Sequence, residues 1–173
     1  MKASAIFIFI FLQLLACSSG KKENNFSNAT SKDLEQPLLK ANRGLVSKEN
    51  EEINAFIKRR NWNMLKTGSG LRYMIYEKGN GISAEKGKYA QIKYVVSLLN
   101  GSECYRSKDK PERFMVDQDN VESGLHEGIK LLHTGDKAIF ILPPHLAHGL
   151  IGDQAKIPPL SSIVYDIELV AVN

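Results

Sequence analysis

The sequence predicts an α+β domain in which an antiparallel β half-barrel wraps around one short helix, with a helical extension on its N-terminal side. Three observations carry this expectation. The last quarter of the chain holds two apolar, β-rich runs, Ala138 to Leu142 and Ile163 to Leu169, separated by a segment punctuated with Pro143, Pro144, Gly149, Pro158 and Pro159. That pattern reads as two neighbouring strands with a loop held over one face of their sheet. Upstream, strand-like runs close on turn residues, and between Val121 and Leu132 the apolar spacing switches to the helical period. A single helix set among antiparallel-type strands is buried most economically by curling the sheet around it.

With 173 residues, of which 43% are hydrophobic, the chain can bury one core and reads as one domain with an extension. Residues 1–16 have the make-up of a signal peptide: Lys2 supplies a positive start, and Ile6 to Leu12 form an apolar run too short to span a bilayer durably. The phrase Leu14-Leu15-Ala16-Cys17 resembles the bacterial lipobox, Leu-x-(Ala/Gly/Ser)-Cys. The resemblance implies that Cys17 is lipidated and anchors the protein to a membrane of the cell envelope, the outer membrane or another periplasm-facing one. Residues 17–46 are rich in Ser, Asn, Lys and Glu and are expected to form a flexible tether.

Residues 47–66 are expected to form an amphipathic helix. Ser47 is placed to cap it, Glu49, Glu51 and Glu52 suit its first turns, and Ile53, Phe56, Ile57 and Trp62 make an apolar stripe. The stripe needs a partner surface, either its own domain or the same helix of a second copy; the sequence leaves both open. Residues 67–173 then form the globular domain. Leu71 to Tyr76 reads as a strand closed by Gly79-Asn80-Gly81, Tyr89 to Leu99 as a strand turned by Asn100-Gly101, and Glu112 to Val116 as a shorter one. His133-Thr134-Gly135-Asp136 ends the helical spacing.

The formal net charge of +4 is spread among interleaved acids and bases, and Lys58-Arg59-Arg60 suits a solvated helix face better than a nucleic-acid site. Only Cys17 and Cys104 are present, so with Cys17 lipidated no disulfide framework exists, and Cys104 is either a buried, inert thiol or a reactive one. His126, His133, His145 and His148 lack the Cys or acidic companions of a tetrahedral zinc set, and no Gly-x-Ser-x-Gly elbow supports hydrolase chemistry.

The phrases Gly135-Asp136-Lys137-Ala138, Pro144 to Gly149, Ile157-Pro158-Pro159 and Tyr165-Asp166-Ile167-Glu168-Leu169 resemble, without a gap from Val121 to Asn173, the C-terminal half of FK506-binding-protein-type (FKBP) peptidyl-prolyl isomerases. Thr67 to Tyr73, Arg60-Asn61-Trp62 and Ser97 to Gly101 are similar to lipoprotein isomerases of Bacteroidetes-type bacteria, some associated with gliding motility. The resemblance implies an FKBP-like fold, no cofactor, and proline-containing exported proteins as clients. It assigns Tyr94, Tyr165 and the backbone amide of Ile157 to catalysis, and Cys104, Tyr105, Val121, Glu122, Leu125 and His148 to the substrate pocket. Five positions depart from the family pattern: Leu125 stands for a tryptophan, His148 for a tyrosine, Glu112 for a phenylalanine, and Cys104-Tyr105 for Phe-Asp, an assignment that can slide by one residue.

Rotation about an X-Pro bond needs no nucleophile. It needs a water-poor cleft that accepts the proline ring and favours the twisted amide over either planar form. Leu125 keeps such a floor apolar at a cost of about 1–2 kcal/mol in buried area, and the new acids at the rim predict weak macrolide binding. The alternative expectation is a non-catalytic binding or structural lipoprotein of the same fold, serving a motility or secretion apparatus.

Overall fold

The computed structural model describes residues 31–173, and its chain contacts fall into two units, Met1–Lys40 and Ala41–Asn173. Of the first unit only the helical stretch from Ser31 is described; the signal segment and Cys17 lie outside the described residues. The second unit is built on a seven-stranded sheet. Its strands are β1 (Leu65–Lys66), β2 (Arg72–Glu77), β3 (Tyr89–Leu98), β4 (Glu103–Arg106), β5 (Glu112–Met115), β6 (Lys137–Leu142) and β7 (Ile163–Val172), and the helices are α1 (Ser31–Arg59) and α2 (Ser123–Ile129). The spatial order is β1-β2-β6-β7-β3-β4, with β5 also on β3, and every pairing is antiparallel.

The expected architecture is present: an antiparallel sheet with one short helix on its inner face and a helix N-terminal to it. The predicted neighbours β6 and β7 pair from Lys137↔Glu168 to Leu142↔Ile163. β4 was not foreseen as a strand; the Asn100-Gly101 turn returns the chain onto β3 with Val96 opposite Tyr105. One edge of β3 is shared, β5 pairing Tyr89 to Ile92 and β4 pairing Val95 to Ser97. Tyr94 falls between them, and Ser107 fills the gap, its amide donating to Tyr94 O and its Oγ accepting from Tyr94 N, both at 3.0 Å.

Alternation along the strands feeds two cores. Ala138, Phe140 and Leu142 of β6 join Tyr165, Ile167 and Leu169 of β7 and Leu125 and Ile129 of α2 on the inner face. Ile139, Ile141 and Val164 face the other way and pack with Ile53 and Phe56 of α1. On α2, a Cβ at Gly124 would lie 2.6 Å from Leu142 and one at Gly128 2.6 Å from the Phe140 ring. These two glycines seat the helix directly on β6.

The N-terminal boundaries need correction. α1 starts by Ser31, so the stretch 31–46 assigned to a flexible tether is helical, and Ser47 lies inside the helix, its Oγ donating to Glu51 at 3.4 Å instead of capping a terminus. Nine of the sixteen residues from 31 to 46 are Lys, Glu, Leu, Ala or Gln, all strong helix formers. Once Ile53 and Phe56 are anchored on the sheet, adding residues N-terminally avoids the cost of a new nucleus. The helix ends at Arg59, not at residue 66: Asn61 takes φ +53°, and the chain enters β1 before residue 67. The apolar stripe finds its partner in its own domain, with Trp62 set edge-on to Phe56 at 5.7 Å.

Candidate active site

A row of side chains crosses the inner face of the sheet: Tyr105 of β4 lies opposite Val96 of β3, Val96 opposite Tyr165 of β7, and Tyr165 opposite Phe140 of β6. Because α2 sits on β6, space remains between that helix and the strands β3, β4 and β5. It is a cavity of about 410 Å³. Tyr94, Tyr165, Val121 and Leu125 form its walls and floor together with Ile92, Val96 and Phe114, while Tyr105, Glu112, Glu122, His148 and Asp153 stand at its rim. The Tyr94 and Tyr165 rings lie 5.7 Å apart at a tilt of 53°.

Each of the three tyrosines donates its hydroxyl to a carboxylate. Tyr94 donates to Glu112 Oε2 at 2.9 Å, Tyr165 to Glu122 Oε2 at 3.1 Å, and Tyr105 to the Asp153 carboxylate. The second oxygen of Glu122 lies 3.0 Å from His148 Nε2, which ties the covering loop to the start of α2. Burial, reinforced by Glu112, pushes the Tyr94 phenol up to about 12. Burial and the neighbouring Glu122 push Tyr165 higher still, and the bond to Asp153 raises Tyr105. All three phenols therefore stay protonated at neutral pH and remain fixed as donors. Asp153 is held down at about 2, first by the Tyr105 hydroxyl and then by the amides of Ala155 and Ile157.

Seven of the nine residues expected at the site meet here: Tyr94, Tyr105, Val121, Glu122, Leu125, His148 and Tyr165. Two do not. Cys104 is buried beside Tyr105, with Sγ 3.7 Å from Lys156 O, and burial raises its thiol pKa. The β3–β4 ladder is irregular here, Val96 pairing Tyr105 and Ser97 pairing Glu103, so Cys104 is the extra residue of a bulge and packs into the inner core under the loop while Tyr105 lines the cavity. Ile157 is likewise in the core, and its amide, expected to grip the substrate carbonyl, donates instead to Asp153 Oδ1 at 2.7 Å. The loop closes tightly on itself, for Asp153 N also donates to Ile157 O at 3.1 Å, and a Cβ at Gly152 would come within 2.2 Å of that same oxygen.

Asp153 was missed because it sits in an aperiodic loop. Its signal was indirect, namely a Tyr105 hydroxyl in need of an acceptor. Ile92 and Val96 flank Tyr94 at the two-residue period and could have been read from the strand phase alone. Among the described residues no group of three or more His, Cys, Asp or Glu is placed to hold a metal; His145 Nε2, for one, lies 2.8 Å from Ser69 O.

The hydroxyls are committed to carboxylates and no activated nucleophile is present at the cavity, so the chemistry it suits is conformational. A twisted amide has lost its resonance and with it part of its charge separation. An aromatic-walled, water-poor cavity therefore favours the twisted form relative to the planar ones.

Comparison with known proteins bears on this reading. Residues 81–170 match the family model described as FKBP-type peptidyl-prolyl cis-trans isomerase. A probable FKBP-type isomerase of Haemophilus influenzae is 35% identical over 109 residues, covering 62% of this chain and 44% of that protein. FkpA of Escherichia coli K12, an FKBP-type isomerase, is 34% identical over 110 residues, covering 63% and 40%. The matched part thus spans less than half the length of these relatives. The crystal structure of a peptidyl-prolyl isomerase from Pseudomonas syringae pv. tomato superposes with a TM-score of 0.66 over 76% of this chain and 95% of that one, at 23% identity.

Proposed function

The chain belongs to the FKBP-type peptidyl-prolyl cis-trans isomerase family, and on that footing we propose that it catalyses cis-trans isomerisation of X-Pro bonds in exported proteins. The observation that carries the reading is the open cavity floored by Leu125 and walled by Tyr94 and Tyr165, of a size to take a prolyl ring. Uncatalysed, such bonds exchange over tens to hundreds of seconds, slow enough to hold up the folding of a client. The leader of residues 1–16 and the lipobox-like Leu14 to Cys17 support a lipid anchor at Cys17 in the cell envelope. Among the described residues no helix is long and apolar enough to cross a membrane. A tie to gliding motility rests on the phrases Thr67 to Tyr73 and Ser97 to Gly101, and loss of colony spreading on deletion would be its test.

One observation favours the second reading, a binding or structural module without catalysis: the Ile157 amide is occupied by Asp153. Exchange of a short X-Pro peptide panel, followed by NMR with the full chain in detergent micelles, separates the two. We expect acceleration by the native chain and a loss of at least about tenfold in Leu125→Arg, which removes the apolar floor. A folded sample with no rate above the uncatalysed one would leave the binding module.

A further inference from the structure

The carboxylates at the rim are not equally committed. Both oxygens of Glu122 are engaged, by Tyr165 and by His148, and both oxygens of Asp153, by Tyr105 and by the Ala155 and Ile157 amides. Glu112 accepts only the Tyr94 hydroxyl, through Oε2, and none of the ion pairs among the described residues includes it. It is exposed at the mouth of the cavity, on β5. The one arginine at the cavity, Arg113, forms no ion pair with it, its guanidinium lying over the Tyr89 ring at 4.3 Å. The one lysine of the covering loop, Lys156, is directed elsewhere, with Nζ donating to Cys104 O at 2.8 Å.

A prolyl ring seated on Leu125 leaves the flanking residues of its peptide at the rim, since the chain on either side must run out of the cavity. The carboxylates it meets there are Glu112, Glu122 and Asp153, beside Tyr105, His148 and Arg113. Resting on the isomerase reading, we infer that Glu112 is a specificity-determining residue that makes the cleft select X-Pro segments carrying Lys or Arg beside the proline over those carrying Glu or Asp. A cation there gains the least committed of three carboxylates, whereas an anion is repelled by all three, offset only in part by the Arg113 guanidinium over Tyr89. A single exposed pair is worth at most about a fivefold change. Attraction in one substrate set against repulsion in the other brings the expected Lys-Pro to Glu-Pro ratio of kcat/KM to about tenfold at low salt. Screening shrinks it as salt rises, because the Debye length falls to about 3 Å at 1 M.

The test measures kcat/KM of the full chain in uncharged detergent for peptides differing only at the residue before proline, Lys, Leu or Glu, with NMR titration of the same peptides as a binding arm. The expected order is Lys, then Leu, then Glu. Glu112→Gln, which keeps an acceptor for Tyr94, should bring the Lys to Glu ratio below about threefold, and Glu112→Lys should invert it. A flat panel, or a ratio unchanged in Glu112→Gln, overturns the inference. If no peptide is isomerised the catalytic reading falls separately. The binding arm then decides: tighter Lys-Pro binding that Glu112→Gln abolishes upholds the charge selection, and equal binding of the three peptides overturns it.

Discussion

On one face of the sheet Ile139, Ile141 and Val164 pack against Ile53 and Phe56 of α1, apolar against apolar. On the other face the same strands present Phe140, Leu142 and Tyr165, and there the helix leans onto β6 through Gly124 and Gly128, leaving a cavity on its far side. Strand alternation supplies both surfaces, so the sheet alone does not distinguish a seal from a cleft. What distinguishes them is how the covering helix is seated and what lies opposite. α1 fills its side with Ile53 and Phe56, and Trp62, just beyond the helix end, packs edge-on to Phe56, whereas α2 gives up side-chain volume at two positions, and tyrosine-carboxylate pairs line the opening this creates.

If the α1 face is only a seal, damage there should cost stability and spare the cleft. Phe56→Ala is expected to destabilise the domain by about 3–5 kcal/mol, seen as a lower denaturation midpoint, while the folded fraction keeps its peptide-exchange rate within about twofold. Loss of exchange in a sample still folded would show that the two faces are coupled.

Gly128→Val asks the converse question on the cleft side. The added methyls must displace the Phe140 ring and push α2 off β6, costing about 1–3 kcal/mol and altering the cavity as well, so stability and exchange should fall together. An unchanged midpoint would mean that the close approach is not what seats the helix.

Tyr165→Phe is the next smaller perturbation. It keeps the wall but removes the donor to Glu122, a hydrogen bond to a charged group worth about 1.5 kcal/mol. His148 keeps its contact with the other Glu122 oxygen, so the loop should stay in place, and unchanged His148 chemical shifts in the variant would confirm it.

The smallest effect concerns acid. Asp153 is held at about 2 in the folded chain, against about 3.9 for a free aspartate. A depressed folded pKa gives stability that is present above the unfolded value and is lost as pH falls through the folded one. The loop contribution should therefore decline between about pH 4 and pH 2, reported by the Ala155 and Ile157 amide shifts, and Asp153→Asn should lack that step.

How much of this was legible in the residues depends on whether a signal was periodic. Tyr94, Leu125 and Tyr165 stand on elements with a clear period, Val121 continues the α2 spacing two residues before that helix, and the cavity contains all of them. Cys104 and Ile157 were placed by a matched phrase alone, and a phrase does not say which side of the chain faces inward; both turned to the core. Asp153 carried no pattern, since its place is fixed by the Tyr105 hydroxyl and two loop amides that come together only after folding. The start of α1 was misjudged for a different reason: composition measures how well a segment can bury itself, and this one extends a helix anchored elsewhere.

The most direct test of the central claim is an intermolecular NOE experiment with a peptide labelled in its prolyl ring and the full chain labelled in its methyl groups. Contacts from the ring to the Leu125 and Val121 methyls, together with accelerated cis-trans exchange, are the predicted result. Ring contacts confined to methyls outside the cavity, such as those of Leu150 or Leu160, or exchange without any contact to Leu125, would contradict it.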